Sequence, residues 1–86
     1  MPDVTTNGNG DEGVDIDGVR SAVGLLDIHA NSNGDDGIHI RNSGDVVATD
    51  SQASNNGDDG LQVINSGNVT VNGGTYTGNG DDDIDI

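Results

Sequence analysis

NGDDGIHI, residues 33–40, sets two adjacent acids, Asp35 and Asp36, against an apolar alternation, Ile38 and Ile40. The same frame returns as NGDEGVDI from Asn9, NGDDGLQV from Asn56 and NGDDDIDI from Asn79. Its first glycines are Gly10, Gly34, Gly57 and Gly80, so the frame recurs at intervals of 24, 23 and 23 residues. A period in this range marks a solenoid, in which one supersecondary unit buries its apolar face only by stacking on its neighbours.

Working outward from the motif, each repeat holds three apolar alternations. The first follows the acids: Val14/Ile16, Ile38/Ile40, Leu61/Val63 and Ile84/Ile86, with Asp15, His39, Gln62 and Asp85 between them. A polar residue between two apolar ones predicts a strand with one buried face. The second is Val23/Leu25, Val46/Ala48 and Val69/Val71. The third is weaker: Ile28/Ala30, Ser51/Ala53 and Gly74/Tyr76, with large and small residues trading places as in one stacked core layer. NSG (42–44 and 65–67), NGG (72–74) and the NGDD runs, with Asn-Gly pairs at 7, 33, 56 and 79, supply turns between them. Glycine or asparagine interrupts every window that could carry helical periodicity.

The expectation is an all-β fold: a right-handed parallel β-helix solenoid of about 23 residues and three short strands per rung. The hand follows from the preference of β crossovers. Residues 1–86 read as one segment of about 3.5 rungs. Successive rungs lie about 4.8 Å apart. That spacing stacks Asn33, Asn56 and Asn79 into a ladder of bonded amides. MPDVTT, at the start, is similar to the second strand of a rung (GNVTVN) without the third, and the chain stops at the inward-facing Ile86. Both ends therefore read as uncapped. Two sources fit: a piece cut from a longer protein, or a subunit that stacks end to end as a homo-oligomer or fibre. In the second case the composite rung, from Gly80 to Gly10 of the next copy, is 16 residues, seven short of 23.

The chain carries 16 acids against two basic residues, Arg20 and Arg41, for a formal charge of -14. So acidic a surface disfavours nucleic acid and anionic membrane and favours cations. Such a charge with so few apolar residues ordinarily means disorder, but here the apolar residues are periodic. No apolar run approaches the roughly 18 residues of a membrane span, and MPDVTTNGNG is no signal peptide. Either the chain belongs to a longer protein or it is exported by another route. Cysteine is absent, which excludes thiolate metal sites.

NGDDGI-x-I followed by NSG-x-V-x-V resembles the right-handed parallel β-helix repeats of the pectate-lyase-like superfamily, over essentially the whole chain. The turn is similar to the calcium-binding RTX β-roll, G-x-G-x-D-x-U with U apolar. Gly78 through Ile84 fits that pattern fully, and Gly8 through Val14 fits with Glu12 for Asp. Ser32 and Asn55 replace the first glycine in the middle copies, and the motif returns once per rung rather than every nine residues.

Stacking sets Asp35, Asp58 and Asp81 in one column and Asp36, Asp59 and Asp82 in another. Like charges about 5 Å apart repel by roughly 1 kcal/mol per pair in water and roughly 3 at an effective dielectric of 20. Two arginines cannot neutralise such columns. Calcium can, through carboxylates and turn carbonyls. The expected ligands are Asp11, Glu12, Asp35, Asp36, Asp58, Asp59, Asp81 and Asp82, with about three ions shared between successive turns. Acids and Asn also serve as plain turn residues, and an acidic, lysine-free surface also suits high salt. His29 and His39 fall on different strands, and alternation turns His39 outward, where solvation is expected.

Some members of the resembled superfamily cut polysaccharides, and GDD invites comparison with paired catalytic aspartates. A catalytic pair, however, is unique in its groove, whereas this one recurs on every rung. No lysine can serve as the Brønsted base of a lyase, and Tyr76 alone makes no sugar platform. The expected function is a non-enzymatic, structural or adhesive β-solenoid of the extracellular or cell-surface type. The alternative is a carbohydrate-binding or carbohydrate-processing β-helix fragment.

Overall fold

Seven short strands follow one another: β1 (Val14–Asp17), β2 (Val23–Leu26), β3 (Ile38–Arg41), β4 (Val46–Thr49), β5 (Leu61–Ile64), β6 (Val69–Asn72) and β7 (Ile84–Asp85). In the computed structural model, which describes all residues 1–86, they sort into two parallel sheets. One has the order β1-β3-β5-β7 and the other β2-β4-β6. The register sets Val14 on Ile38 on Leu61 on Ile84, and Val23 on Val46 on Val69. Each strand meets the strand one repeat later, so the chain is a parallel solenoid of about 23 residues per turn, without helix. The apolar members of each alternation point inward because the strand period of two leaves the polar member outside.

The third side is not a full strand. It pairs only through single bridges from Thr5 to His29 to Gln52 to Thr75. Residues with positive φ bound it closely: Asp27 and Ser32 in one rung, Asp50 and Asn55 in the next. Between those corners too few extended residues remain for a longer ladder. Its inward residues still behave as expected, with Ile28, Ala30, Ser51 and Ala53 all buried. The Ser51 hydroxyl accepts from the Ile28 N–H (3.1 Å) and donates to the Thr49 carbonyl (3.2 Å), which satisfies its polarity inside the core.

The same bridges correct the reading of MPDVTT. Pro2 pairs with Leu26 at the end of β2 and Thr5 with His29, so the segment ends the second strand at Pro2 and then supplies the third side through residues 4–6. The left-handed residue Asp3 sets that register, since it stacks on the left-handed Asp27 and Asp50. Alternation alone could not tell the two sides apart.

Every corner is tied to the next rung. The Asn33 N–H and Nδ2 both donate to Asn56 Oδ1 (2.9 and 3.1 Å), and those of Asn56 to Asn79 Oδ1 (both 3.0 Å). Asn9 joins the same ladder through Asn33 Oδ1. An amide both donates and accepts, so identical amides stack without loss. At another corner the Ser43 N–H donates to Ser66 Oγ (3.1 Å). The first glycine of the motif is forced by the approach of the rungs. A Cβ on Gly34 would lie 2.5 Å from the Gly10 carbonyl oxygen, and one on Gly57 would collide with the Gly34 carbonyl. The second glycine makes room for the ladder, because a Cβ on Gly37 would lie 2.6 Å from Asn56 Nδ2.

The core is a thin aliphatic column with Ile38, Ile40 and Leu61 fully buried at its centre. Leu61→Ala should therefore cost about 2–5 kcal/mol in urea melts. Ile64→Ala, three residues away and 41% exposed, should stay within about 0.5 kcal/mol of the parent. Equal effects of the two would place Leu61 outside the core.

Candidate metal site on the acidic turn

The turn between the third side and the first sheet presents the acids. Its backbone is held in register from rung to rung: the Asp58 N–H donates to the Asp35 carbonyl (3.1 Å), and the Asp81 N–H to the Asp58 carbonyl (2.9 Å). The next acid in each turn folds inward. Asp36 Oδ1 accepts from the Asp59 N–H (2.9 Å), and Asp59 Oδ1 from the Asp82 N–H (2.9 Å). Asp36 and Asp59 are consequently buried, at 2% and 1% exposure. One oxygen of each carboxylate does structural work, and the other is left over.

All eight acids expected to bind metal converge. Asp11, Glu12 and Asp35 place one carboxylate oxygen each within 4.8 Å of one another; so do Asp35, Asp36 and Asp58, and so do Asp58, Asp59 and Asp81. These three groups span successive turns. A fourth joins Asp59, Asp82 and Asp85. Asp85 is a residue that the sequence reading missed. It lies on β7 in register with Gln62, at an outward strand position that carries another residue type in the two rungs below. Its signal was the acid inside the apolar alternation IDI, beside the turn.

His39 corrects another expectation. Alternation places it on the outward face, as read, yet it is 9% exposed. The acid turn folds over it: Nδ1 lies 3.4 Å from Glu12 Oε1 and 3.7 Å from Asp36 Oδ2. Glu12 stands where the other rungs carry Asp36 and Asp59, and its extra methylene lets it reach the imidazole. Two other basic side chains serve other acids. Arg41 lies 3.7 Å from Asp15 and 3.4 Å from Asp17 on the strand face, and His29 lies 3.1 Å from Asp27. The Asp27 carboxyl is held below its ordinary range by the hydrogen bond from His29.

The turn acids show the opposite shift. Burial, then the charges of Asp35 and Asp59, push the Asp36 carboxyl from 3.8 to about 6, against the Asp59 backbone hydrogen bond and the His39 charge. Asp58 is raised by desolvation and by Asp59 and Asp81; Asp82 is raised chiefly by Asp81. A carboxyl raised in the folded state binds its proton more tightly there than in the unfolded chain. That stability is complete below pH 3.8 and is lost as the pH rises through about 6. Without divalent metal, the protein should gain about 1 kcal/mol between pH 7 and pH 5 from Asp36 alone. Asp36→Asn keeps an oxygen for the Asp59 N–H and should flatten that gain. Urea melts in chelator at constant ionic strength measure both. A parent that loses stability over this interval would contradict the assignment.

Against known proteins, the chain matches the model of the family described as "Right handed beta helix region" over residues 3–86. No curated protein and no solved structure matches it. The match concerns the solenoid and leaves the RTX-like spacing of the turn as a likeness of sequence alone. A repeat that stacks Val14, Ile38, Leu61 and Ile84 in parallel, matched along nearly its whole length, places this chain in the right-handed β-helix family.

Proposed function

We propose that this chain is a non-enzymatic, structural or adhesive β-solenoid segment whose acidic turns bind calcium between rungs. The observation that carries the reading is the recurrence of converging carboxylates on successive turns, with His39 the one basic side chain set against them. Each buried acid keeps an oxygen beyond the one given to the backbone. The donors are all oxygens, drawn from carboxylates and turn carbonyls in an irregular array. Such a set suits calcium better than magnesium, which holds its waters and requires strict octahedral geometry. Extracellular modules work at millimolar calcium, and an extracellular or cell-surface setting belongs to this proposal.

Recurrence also supports a role without catalysis, because an acid pair repeated along the stack marks no single reaction centre. The carbohydrate reading has less support. Tyr76 is partly buried, packed against the core, with its hydroxyl unpartnered, so it offers no open stacking face. End-to-end association of copies, which a parallel stack permits, is part of the same proposal.

Calcium at a hundredfold excess over its dissociation constant should stabilise the fold by about 2.7 kcal/mol. The rise in melting temperature should exceed that given by magnesium and that given by sodium chloride at matched ionic strength. Asp59→Asn should abolish most of the calcium effect, since Asp59 belongs to two of the carboxylate groups. The metal-free variant should be no less stable than the metal-free parent. Equal stabilisation by calcium and matched sodium chloride would leave only charge screening.

Association has its own measurement. Sedimentation should show mass growing with concentration, and an 8.7 kDa monomer throughout would eliminate stacking.

A further inference from the structure

Of the eleven asparagines only Asn68 has a serine or threonine two residues on, in Asn68-Val69-Thr70. Asn-x-Ser/Thr, with x other than proline, is the acceptor motif for N-linked glycan transfer. The asparagine amide nitrogen attacks the anomeric carbon of a sugar carried on a polyprenyl diphosphate. A nitrogen–carbon bond forms and the bond from that carbon to the diphosphate oxygen breaks. The lipid diphosphate leaves, and the amide gives up a proton. The motif is short, so the fold decides whether it can act. The amide and the threonine hydroxyl must both face solvent, on one side of the backbone.

Both conditions follow from positions inside the stack. Val69 opens β6 and packs against the core. The strand period of two turns its neighbours Asn68 and Thr70 to the same outward side. Val69 stacks on Val46, which sets Asn68 above Asp45, and Thr70 stacks on Val47. Asp45 and Val47 have a rung on either side and are exposed all the same. These two positions therefore face solvent in a covered rung. Asp45 also shows how such a corner side chain divides its atoms. Its Oδ1 accepts from the Asn68 N–H of the next rung (2.8 Å), which leaves its second oxygen to solvent. Asparagine in the same role gives Oδ1 to the stack and keeps Nδ2, the attacking atom, free. The Asn68 backbone is held on the rung below, since its carbonyl accepts from the Val46 N–H (2.8 Å).

We propose that Asn68 is an acceptor site for N-linked glycosylation. The glycan stands at the corner between β5 and β6. The acid turn is a different corner, leading from the third side into the first sheet, so the sugar leaves the carboxylate groups uncovered. The lipid-linked donor and its transferase belong to an export route. The inference therefore rests on the extracellular or cell-surface setting proposed above, and not on calcium.

The test is transfer in vitro. The purified folded chain is incubated with an oligosaccharyltransferase and a lipid-linked oligosaccharide and read by intact mass and glycopeptide mapping. A single glycan per chain is expected, on Asn68. Thr70→Ser should slow transfer severalfold, and Thr70→Ala and Asn68→Gln should abolish it. Circular dichroism that matches the parent verifies that these outward substitutions leave the solenoid folded. A free peptide of residues 65–73 serves as the acceptor control. The proposal is overturned if the peptide is modified and the folded chain is not, or if transfer persists in Asn68→Gln. The cell-surface setting fails separately: protein from its natural source with Asn68 bare, yet modified in vitro, would count against the setting and uphold the site.

Discussion

Rungs of a parallel solenoid stack each side chain on its own counterpart at about 4.8 Å, and every other feature of this molecule answers to that spacing. The constraint is indifferent to chemistry. It places valine on valine, where contact removes apolar surface from water, and aspartate on aspartate, where contact is repulsive. A sequence that repeats cannot choose one outcome without facing the other. Here β1, β3, β5 and β7 gain an aliphatic column, and the turn beside them gains a column of acids.

The turn resolves the spacing residue by residue. Asparagine tolerates its own image because its amide donates upward and accepts from below. Glycine appears where the neighbouring carbonyl or amide leaves no space for a Cβ. The inner aspartate tolerates its image only in part: Asp36 turns one oxygen to the Asp59 N–H, and what remains is a buried charge facing other charges. The raised affinity of Asp36 for protons measures that residue of conflict. His39, under Glu12 and Asp36, relieves it at one level of the stack. Gln62, which follows at the same strand position, carries no charge to do so.

This division explains what could be read from the sequence. Period and alternation located the strands, the asparagine ladder and all eight converging acids, because each of these repeats and repetition is what stacking preserves. Features that break the repeat were hidden. His39 occupies a position held by Asp15 in one neighbouring rung and Gln62 in the other, so the face could be assigned but not the cover folded over it. Asp85 joins its cluster from a strand position with no acidic counterpart in the two rungs before it. The apolar alternation of MPDVTT was misplaced because its register depends on a left-handed corner at Asp3, which ends the second strand at Pro2 and puts residues 4–6 on the third side. Alternation carries no information about such corners.

The fold by itself accounts for the geometry of NGDDG but not for its charge. Asparagine at position 36 or 59 would offer an oxygen to the same backbone N–H, and the ladder beside it already uses asparagine for that purpose. An amide at position 36 would remove the repulsion of Asp35 and Asp59 and the desolvation of a buried charge. Retaining aspartate instead lowers the stability of the isolated chain at neutral pH. Under the function proposed above, that charge acts on a cation held between rungs, which turns the repulsion of the acid columns into attraction. The same stacking that makes the acids costly also sets their oxygens at ligand spacing.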